Sequence, residues 1–381
     1  MVSERAQAVD TFIAMDVLER ANEREDVVHL EVGEPDFDPP EAVFDAAVDS
    51  LRSGNTGYTA ARGKRVLREA IADRYDREYG VTVDPERVLV TPGSSPGLLL
   101  ALAALVDAGD EVVLTDPHYA CYPNFVRLLD GVVRTVPLRA ADGFQPRSAD
   151  FERAVGAETS AVMVNSPANP TGAVLDNETL SEIVGVAERA DANVVSDEIY
   201  HGLSYGGTEH TVLEHTDEAF VLDGFSKRFG MTGWRLGWVV APPGHVDAVD
   251  RLAQNALISA PNFVQDAGVA ALETDGEWSA DVRDTYRERR DRLLDAVSEW
   301  GLDPGYTPNG AYYVLADVSD LPGSAVDVAD LFLEEAGVAV TPGVDFGDRA
   351  AGYVRLSYAT DEDALDEAAT RIGRLLETVR D

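Results

Sequence analysis

Two short β-branched runs, Ala161-Val-Met-Val-Asn165 and Asn193-Val-Val-Ser196, flank a helical segment from Glu178 to Arg189. Apolar runs of this length, joined through a helix, read as parallel strands buried on both faces. The pattern extends outward in both directions. Val88-Leu-Val-Thr91 and Glu111-Val-Val-Leu-Thr115 precede it, and Phe220-Val-Leu-Asp223 and Leu236-Gly-Trp-Val-Val240 come after it. The expected fold is therefore α/β: a large domain with a mostly parallel sheet flanked by helices. After Pro242-Pro243 a helical stretch leads to about Asp275 and out of this domain. The remainder, with strands expected at 311–316, 338–341 and 353–357, reads as a smaller α+β domain. The divisions are an N-terminal arm at 1–30, a large domain at 31–275 and a small domain at 276–381. The arm is amphipathic and helical, with apolar Phe12, Ile13, Met15, Val17 and Leu18, and is expected to pack with the small domain.

The 381 residues are 45% hydrophobic, enough for a conventional core, and the folded surface should be roughly 15,000 Å². The longest clean apolar stretch, Leu98 to Val106, is about half of what a membrane span needs. Residues 1–10 lack the apolar core of a signal peptide. The single cysteine, Cys121, fits a reducing cytoplasm and reads as packing. The six histidines show no metal spacing, so no metal is expected; His118 and His201 read as pocket-edge or surface residues.

Charge excludes more. There are 31 basic against 69 acidic residues, a net charge of −38, with the acids dispersed along the chain. Nucleic acid is a poor partner for such a surface. The composition points to adaptation to a salt-rich cytoplasm. Only Lys64 and Lys227 are lysines, so either one must be weighed as a chemical group.

Ligands of open α/β sheets sit beyond the carboxyl ends of the strands. The first run leads to Thr91-Pro-Gly93-Ser94-Ser95 and a helix start, where free N–H groups bind anions, although a serine there also serves as a simple cap. Other runs lead to Tyr119, to Asn169, to Asp197-Glu-Ile-Tyr200 and to Gly224-Phe-Ser226-Lys227, with Arg235 eight residues further. Arg235 could hold a phosphate or serve in an ion pair. A carboxylate closing an apolar strand, as Asp197 does, needs a cation. Tyr200 and Asn169 can donate to a phenolate-like oxygen, and Tyr119 offers a ring for stacking. A lysine amine with a depressed pKa can form a Schiff base. A planar pyridine bearing an aldehyde, a phosphate and a phenolic oxygen would meet all of these groups: pyridoxal 5'-phosphate.

The segment Gly224-Phe-Ser-Lys-Arg-Phe-Gly-Met-Thr-Gly-Trp-Arg-Leu-Gly237 resembles the lysine-attachment region of class I aminotransferases, the fold-type I pyridoxal-phosphate enzymes. So do Asn165–Gly172, Ser196–Tyr200, Val32–Phe37, Gly57–Gly63 and Tyr353–Ala359, in order, over residues 12 to 375. The likeness is strongest to the aspartate/aromatic/alanine subgroup. It implies that Lys227 holds the cofactor and shuttles the proton, and that Asp197 keeps the pyridine nitrogen protonated. Tyr200 and Asn169 would bind the phenolic oxygen, and Tyr119 would stack. Gly93, Ser94, Ser95, Ser226 and Arg235 would hold the phosphate, with Tyr58 reaching it from a neighbouring subunit, so a homodimer is implied. Arg355 would clamp the substrate α-carboxylate near Gly33 and Asn169.

The implied reaction moves the α-amino group of an L-amino acid to a 2-oxo acid such as 2-oxoglutarate, by a ping-pong mechanism. In the aspartate-specific branch the phosphate loop carries a lysine that reads a second carboxylate; here that position is Ser95, leaving Lys64 or Arg62 as substitutes. A β-lyase acting on cysteine-type substrates is the alternative on the same fold. A transcriptional regulator with a sensor domain of this type would need a DNA-binding module, for which the residues before Glu31 are too few.

Overall fold

The computed structural model describes residues 2–274 and 276–380. Its twelve strands among these residues are β1 (Val28–His29), β2 (Val88–Thr91), β3 (Glu111–Asp116), β4 (Val132–Pro137), β5 (Thr159–Asn165), β6 (Asn193–Asp197), β7 (Phe220–Gly224), β8 (Gly237–Val240), β9 (Tyr313–Asp317), β10 (Val338–Ala339), β11 (Thr341–Pro342) and β12 (Tyr353–Ser357). Seven of them form one sheet in the order β2-β8-β7-β6-β5-β3-β4. All its pairings are parallel except those of β8, which runs antiparallel to β2 and β7. The expected α/β fold is present.

The strands at the centre of the sheet are the continuous apolar runs of the sequence. β7 and β8 inside the sheet, and β2 at its edge, are buried at every position because helices cover both faces. One face packs Val113, Val162, Val194, Val221 and Trp238 in a first core cluster. The other packs Val112, Met163, Val195, Leu222 and Val239 with the Ser94–Leu105 helix. β4 went unrecognised in the sequence. It is an edge strand with mostly exposed or half-buried positions and a mid-strand Arg134, so it has no continuous apolar run.

A second sheet, in the order β11-β12-β9, is antiparallel throughout and carries a separate core of Tyr312, Val314, Ala316, Val354 and Leu356 beneath the 277–299 and 362–380 helices. β1 joins β10 in a short parallel pair. The N-terminal segment forms helices Glu4–Gln7 and Ile13–Asn22, and Val17 and Ala21 of the second pack on Leu333 and Ala339. The stretch after Pro243 forms helices Val246–Ala256 and Asn262–Glu273. Asp275, where the sequence reading ends the large domain, lies outside the described residues. Among the described residues no helix is long and apolar enough to cross a membrane.

The turn after β2 fixes where the next helix begins. Gly93 has φ 97°, a left-handed backbone open to glycine at little cost, and the helix starts at Ser94. Directly beneath, a Cβ on Gly237 would come within 2.8 Å of the Gly93 carbonyl carbon and the Ser94 nitrogen. A side chain there would push the helix start out of the sheet. β8 can pass under the turn because it begins with glycine.

Candidate active site

A cavity of about 270 Å³ opens where β2, β3, β5, β6 and β7 end. Among its lining residues are Gly33, Ser94, Ser95, Tyr119, Asn169, Asp197, Tyr200, Ser226, Lys227, Arg235 and Arg355. Of the cofactor and substrate residues expected from the sequence, only Gly93 and Tyr58 are not in its wall. Gly93 lies immediately behind it: a Cβ there would meet Arg235 Nη2 at 2.5 Å. Tyr58 is 83% exposed and does not reach the cavity of its own chain.

Lys227 enters from the loop after β7, and its Nζ donates to the Gly33 carbonyl at 2.7 Å. Burial lowers its pKa to about 8; Glu34 opposes this, and the cationic Arg355 and Arg235 reinforce it. Asp197 ends β6, with Oδ2 accepting from the Tyr122 hydroxyl at 2.6 Å and Oδ1 from the Ile199 N–H at 3.2 Å. Burial raises its pKa to about 6, and those two hydrogen bonds hold it from going higher. No cation touches this carboxylate among the described residues, which leaves it the wall's unmatched anion.

The phosphate-type turn is shaped as the sequence suggests but is not capped by serine. Gly93 is the N-cap residue and makes no side-chain cap bond. Ser94 and Ser95 therefore stand in the first turn with their side chains on the cavity wall. Arg235 has a left-handed backbone, φ 54°, uncommon outside glycine. It donates to the Thr232 carbonyl at 2.8 Å rather than to a carboxylate, and its guanidinium lies over Gly93. First-turn N–H groups, two hydroxyls and a guanidinium form a site for an anion such as phosphate.

On the opposite wall Arg355, from β12, is 3% exposed. Its Nη1 donates to Asn169 Oδ1 at 3.0 Å, and its Nη2 donates to the Glu31 carbonyl and, at 3.3 Å, to Thr341 Oγ1. Its Nε is buried without a partner. The guanidinium lies between the rings of Tyr313 and Phe346, at 4.5 and 4.6 Å. Asn169 is held in turn by its N–H to Asn165 Oδ1 at 2.8 Å. Tyr119 half-faces the cavity, edge-on to Phe12 at 5.9 Å and to Tyr122 at 5.4 Å.

The residues fit pyridoxal phosphate on these observations: an unmatched buried carboxylate, a partnerless buried guanidine nitrogen, an anion cradle and a lysine of depressed pKa share one cavity. The family comparison agrees. Residues 25–372 match the family described as aminotransferase class I and II. The chain belongs to that family. It is 40% identical over 387 residues to an aspartate/prephenate aminotransferase of Thermus thermophilus, covering 98% of both chains. It is 39% identical over 376 residues to a valine–pyruvate aminotransferase of Mycobacterium tuberculosis, covering 97% of both. The solved Thermus thermophilus aspartate aminotransferase with maleate superposes with a TM-score of 0.94 at 39% identity, covering 98% of this chain and 99% of that one. This aminotransferase transfers an amino group from an amino acid to a 2-oxo acid, with pyridoxal phosphate as its cofactor.

Several residues in the wall or just behind it were not found from the sequence. Tyr122 holds Asp197, Tyr313 touches both Tyr200 and Arg355, and Tyr312 donates to the Gly33 carbonyl at 2.9 Å. Tyr122 stands three residues after Tyr119, a helical spacing that was available as a signal. One reading is corrected. His201 is 1% exposed, not a pocket-edge or surface residue. It turns inward, its Nδ1 2.8 Å from the Tyr79 hydroxyl and 3.4 Å from the fully buried Glu198, whose carboxylate needs polar neighbours. His118 is also buried and, with its pKa lowered to about 4 by burial, neutral. Lys64 and Arg62 are bound to acids of their own chain, Lys64 to Asp266 at 2.7 Å and Arg62 to Glu86, Asp247 and Asp250.

The depressed Lys227 has a measurable consequence in cofactor-free protein. Between pH 8 and about 10.5 the unfolded chain holds this proton and the folded one does not, so stability from this group rises with pH. Below pH 8 both states are protonated and the slope vanishes. Urea unfolding from pH 7.5 to 10.5 should show the native protein gaining roughly 2–3 kcal/mol relative to Lys227→Met. Parallel curves for the two proteins would show that the amine is not desolvated.

Proposed function

We propose that this aminotransferase works as a homodimer in a salt-rich cytoplasm, exchanging a broad set of donors, neutral and aromatic ones included, with 2-oxoglutarate or another 2-oxo acid in a ping-pong cycle. The observation that carries the reading is that Lys227, Asp197 and Arg355, three ionisable groups from separate segments, line one cavity. Bound among them, pyridoxal phosphate supplies an aldehyde for amines and a ring that accepts the electron pair freed at Cα. Asp197, as a buried anion, holds the proton on the ring nitrogen. Lys227, its amine made available by the lowered pKa, would take the proton from Cα and return it to the carbon that carried the cofactor's aldehyde. Tyr200 and Asn169 donate to the phenolic oxygen, Tyr119 covers the ring, and the Gly93–Ser95 turn, Ser226 and Arg235 hold the phosphate. Arg355 offers the α-carboxylate a planar fork. In this reading residues 31–275 form the cofactor-bearing domain, and residues 276–381, with the 1–30 arm, form the smaller one.

The breadth of donors follows from the mouth. Phe12, Met15, Leu98 and Tyr119 line it with apolar surface. The cavity's cations, Lys227, Arg235 and Arg355, each have an assigned task, and Lys64 and Arg62 are engaged elsewhere. A distal carboxylate, such as that of 2-oxoglutarate, then needs a second subunit. Tyr58, exposed and away from its own cavity, supports that arrangement.

The test is a half-reaction screen. Mixing the cofactor-loaded protein with single amino acids should bleach the bound-cofactor absorbance for neutral and aromatic donors, and adding a 2-oxo acid should restore it. Arg355→Lys should slow bleaching by every donor by a similar factor. Bleaching by aspartate and glutamate alone would overturn the breadth, and release of pyruvate and ammonia from cysteine-type substrates would favour a β-lyase.

The salt reading rests on charge density. The net charge of −38 over 15851 Å² leaves one uncompensated charge per roughly 420 Å². That is a spacing near 20 Å, inside the Debye length of about 30 Å at 0.01 M but well outside the 3 Å at 1 M. Across a KCl series, sedimentation and melting should show the dimer and the bound cofactor weakened in dilute buffer and restored at molar salt. A dimer and melting temperature indifferent to KCl would refute salt adaptation and leave the activity untouched.

A further inference from the structure

Tyr313 lines the cavity beside Tyr200 and Arg355 and touches both. Its hydroxyl is 3.0 Å from the Tyr200 hydroxyl, and its ring lies 4.5 Å from the Arg355 guanidinium. It is 2% exposed, and Gly33 leaves room for it: a Cβ on Gly33 would collide with the Tyr313 hydroxyl. The chain has thus kept a backbone position bare where this phenol stands.

Proton bookkeeping decides the direction of the hydrogen bond. A tyrosine hydroxyl has one proton to donate. Tyr312, the neighbouring phenol, gives its proton to the Gly33 carbonyl. If Tyr200 donates to the cofactor's phenolic oxygen, its contact with Tyr313 must be filled by the Tyr313 proton. A donor that itself accepts a hydrogen bond donates more strongly. The charged groups facing this pair are Arg355 and Lys227, whose Nζ lies 5.9 Å from the Tyr200 ring centre. Neither can accept a proton from a phenol while charged.

We infer that Tyr313 is a positioning residue with two separable functions: its hydroxyl strengthens the hydrogen bond Tyr200 makes to the cofactor's phenolic oxygen, and its ring fixes the Arg355 fork. The inference rests on the proposed role of Tyr200. Weakening a hydrogen bond to the phenolic oxygen makes that oxygen more basic, so the proton it shares with the lysine-linked nitrogen is held more tightly.

Absorbance titration of the cofactor-loaded protein reads that proton directly. Tyr200→Phe should raise its apparent pKa. Tyr313→Phe, which keeps the ring, should raise it by about half to one pH unit with KM for amino acids unchanged. In the Tyr200→Phe background, Tyr313→Phe should add nothing, because the bond it acts through is gone. Tyr313→Leu, which removes the ring as well, should also raise KM several-fold for every donor. An unshifted pKa in Tyr313→Phe beside a shifted one in Tyr200→Phe overturns the inference alone. An unshifted pKa in Tyr200→Phe brings down the role of Tyr200 and the inference together. An equal shift by Tyr313→Phe in both backgrounds would show that the hydroxyl does not act through Tyr200.

Discussion

Placing a carboxylate at the end of a fully covered strand is costly unless a positive charge meets it. The sheet does this twice, side by side, with opposite outcomes. Asp223, in β7, is neutralised within the protein by Arg74, whose Nη1 lies 2.7 Å away. Asp197, in β6, receives only a phenol and an N–H, both neutral. Both carboxyls are raised to about 6 by burial, but only Asp197 opens on the cavity. The difference separates a carboxylate completed by its own chain from one that waits for a ligand cation.

The rest of the site is arranged around that need. The parallel order of β5, β6 and β7 brings Asn169, Asp197 and Lys227 to the same edge. The antiparallel β8 slips beneath the Gly93 turn and lets Arg235 reach back over it. The second sheet supplies what the first cannot: Arg355 from β12 and Tyr313, which begins β9, with Tyr312 just before it donating to the Gly33 carbonyl. Burial lowers the Lys227 pKa, and the charge of Arg355 across the cavity, unspent on a carboxylate, adds to that shift and keeps the amine available near neutral pH.

The sequence made the central strands legible because burial on both faces writes a continuous apolar run. It did so less well where that condition fails, as at the half-exposed edge strand β4. The residues that end those strands were legible for the same reason: polar groups stand out after an apolar run. Tyr122 and Tyr313 were not, since an aromatic residue looks the same whether it fills a core or positions a neighbour. What marks them is contact across the chain, Tyr122 with Asp197 and Tyr313 with Tyr200; the spacing of Tyr119 and Tyr122 places the two on one side but names no partner. His201 was misread because Tyr79, whose hydroxyl meets its ring, approaches from 122 residues away. Tyr58 has a meaning in one chain only through its exposure.

With two lysines in the chain, the central claim reduces to a choice of one amine. Borohydride reduction of the cofactor-loaded protein, with peptide mapping of the product, fixes the cofactor where it is attached. The account predicts the label on Lys227 alone, in the tryptic peptide running from Ala190 to Arg228. Label on Lys64, held by Asp266 outside the cavity, or no label on either lysine, would contradict it.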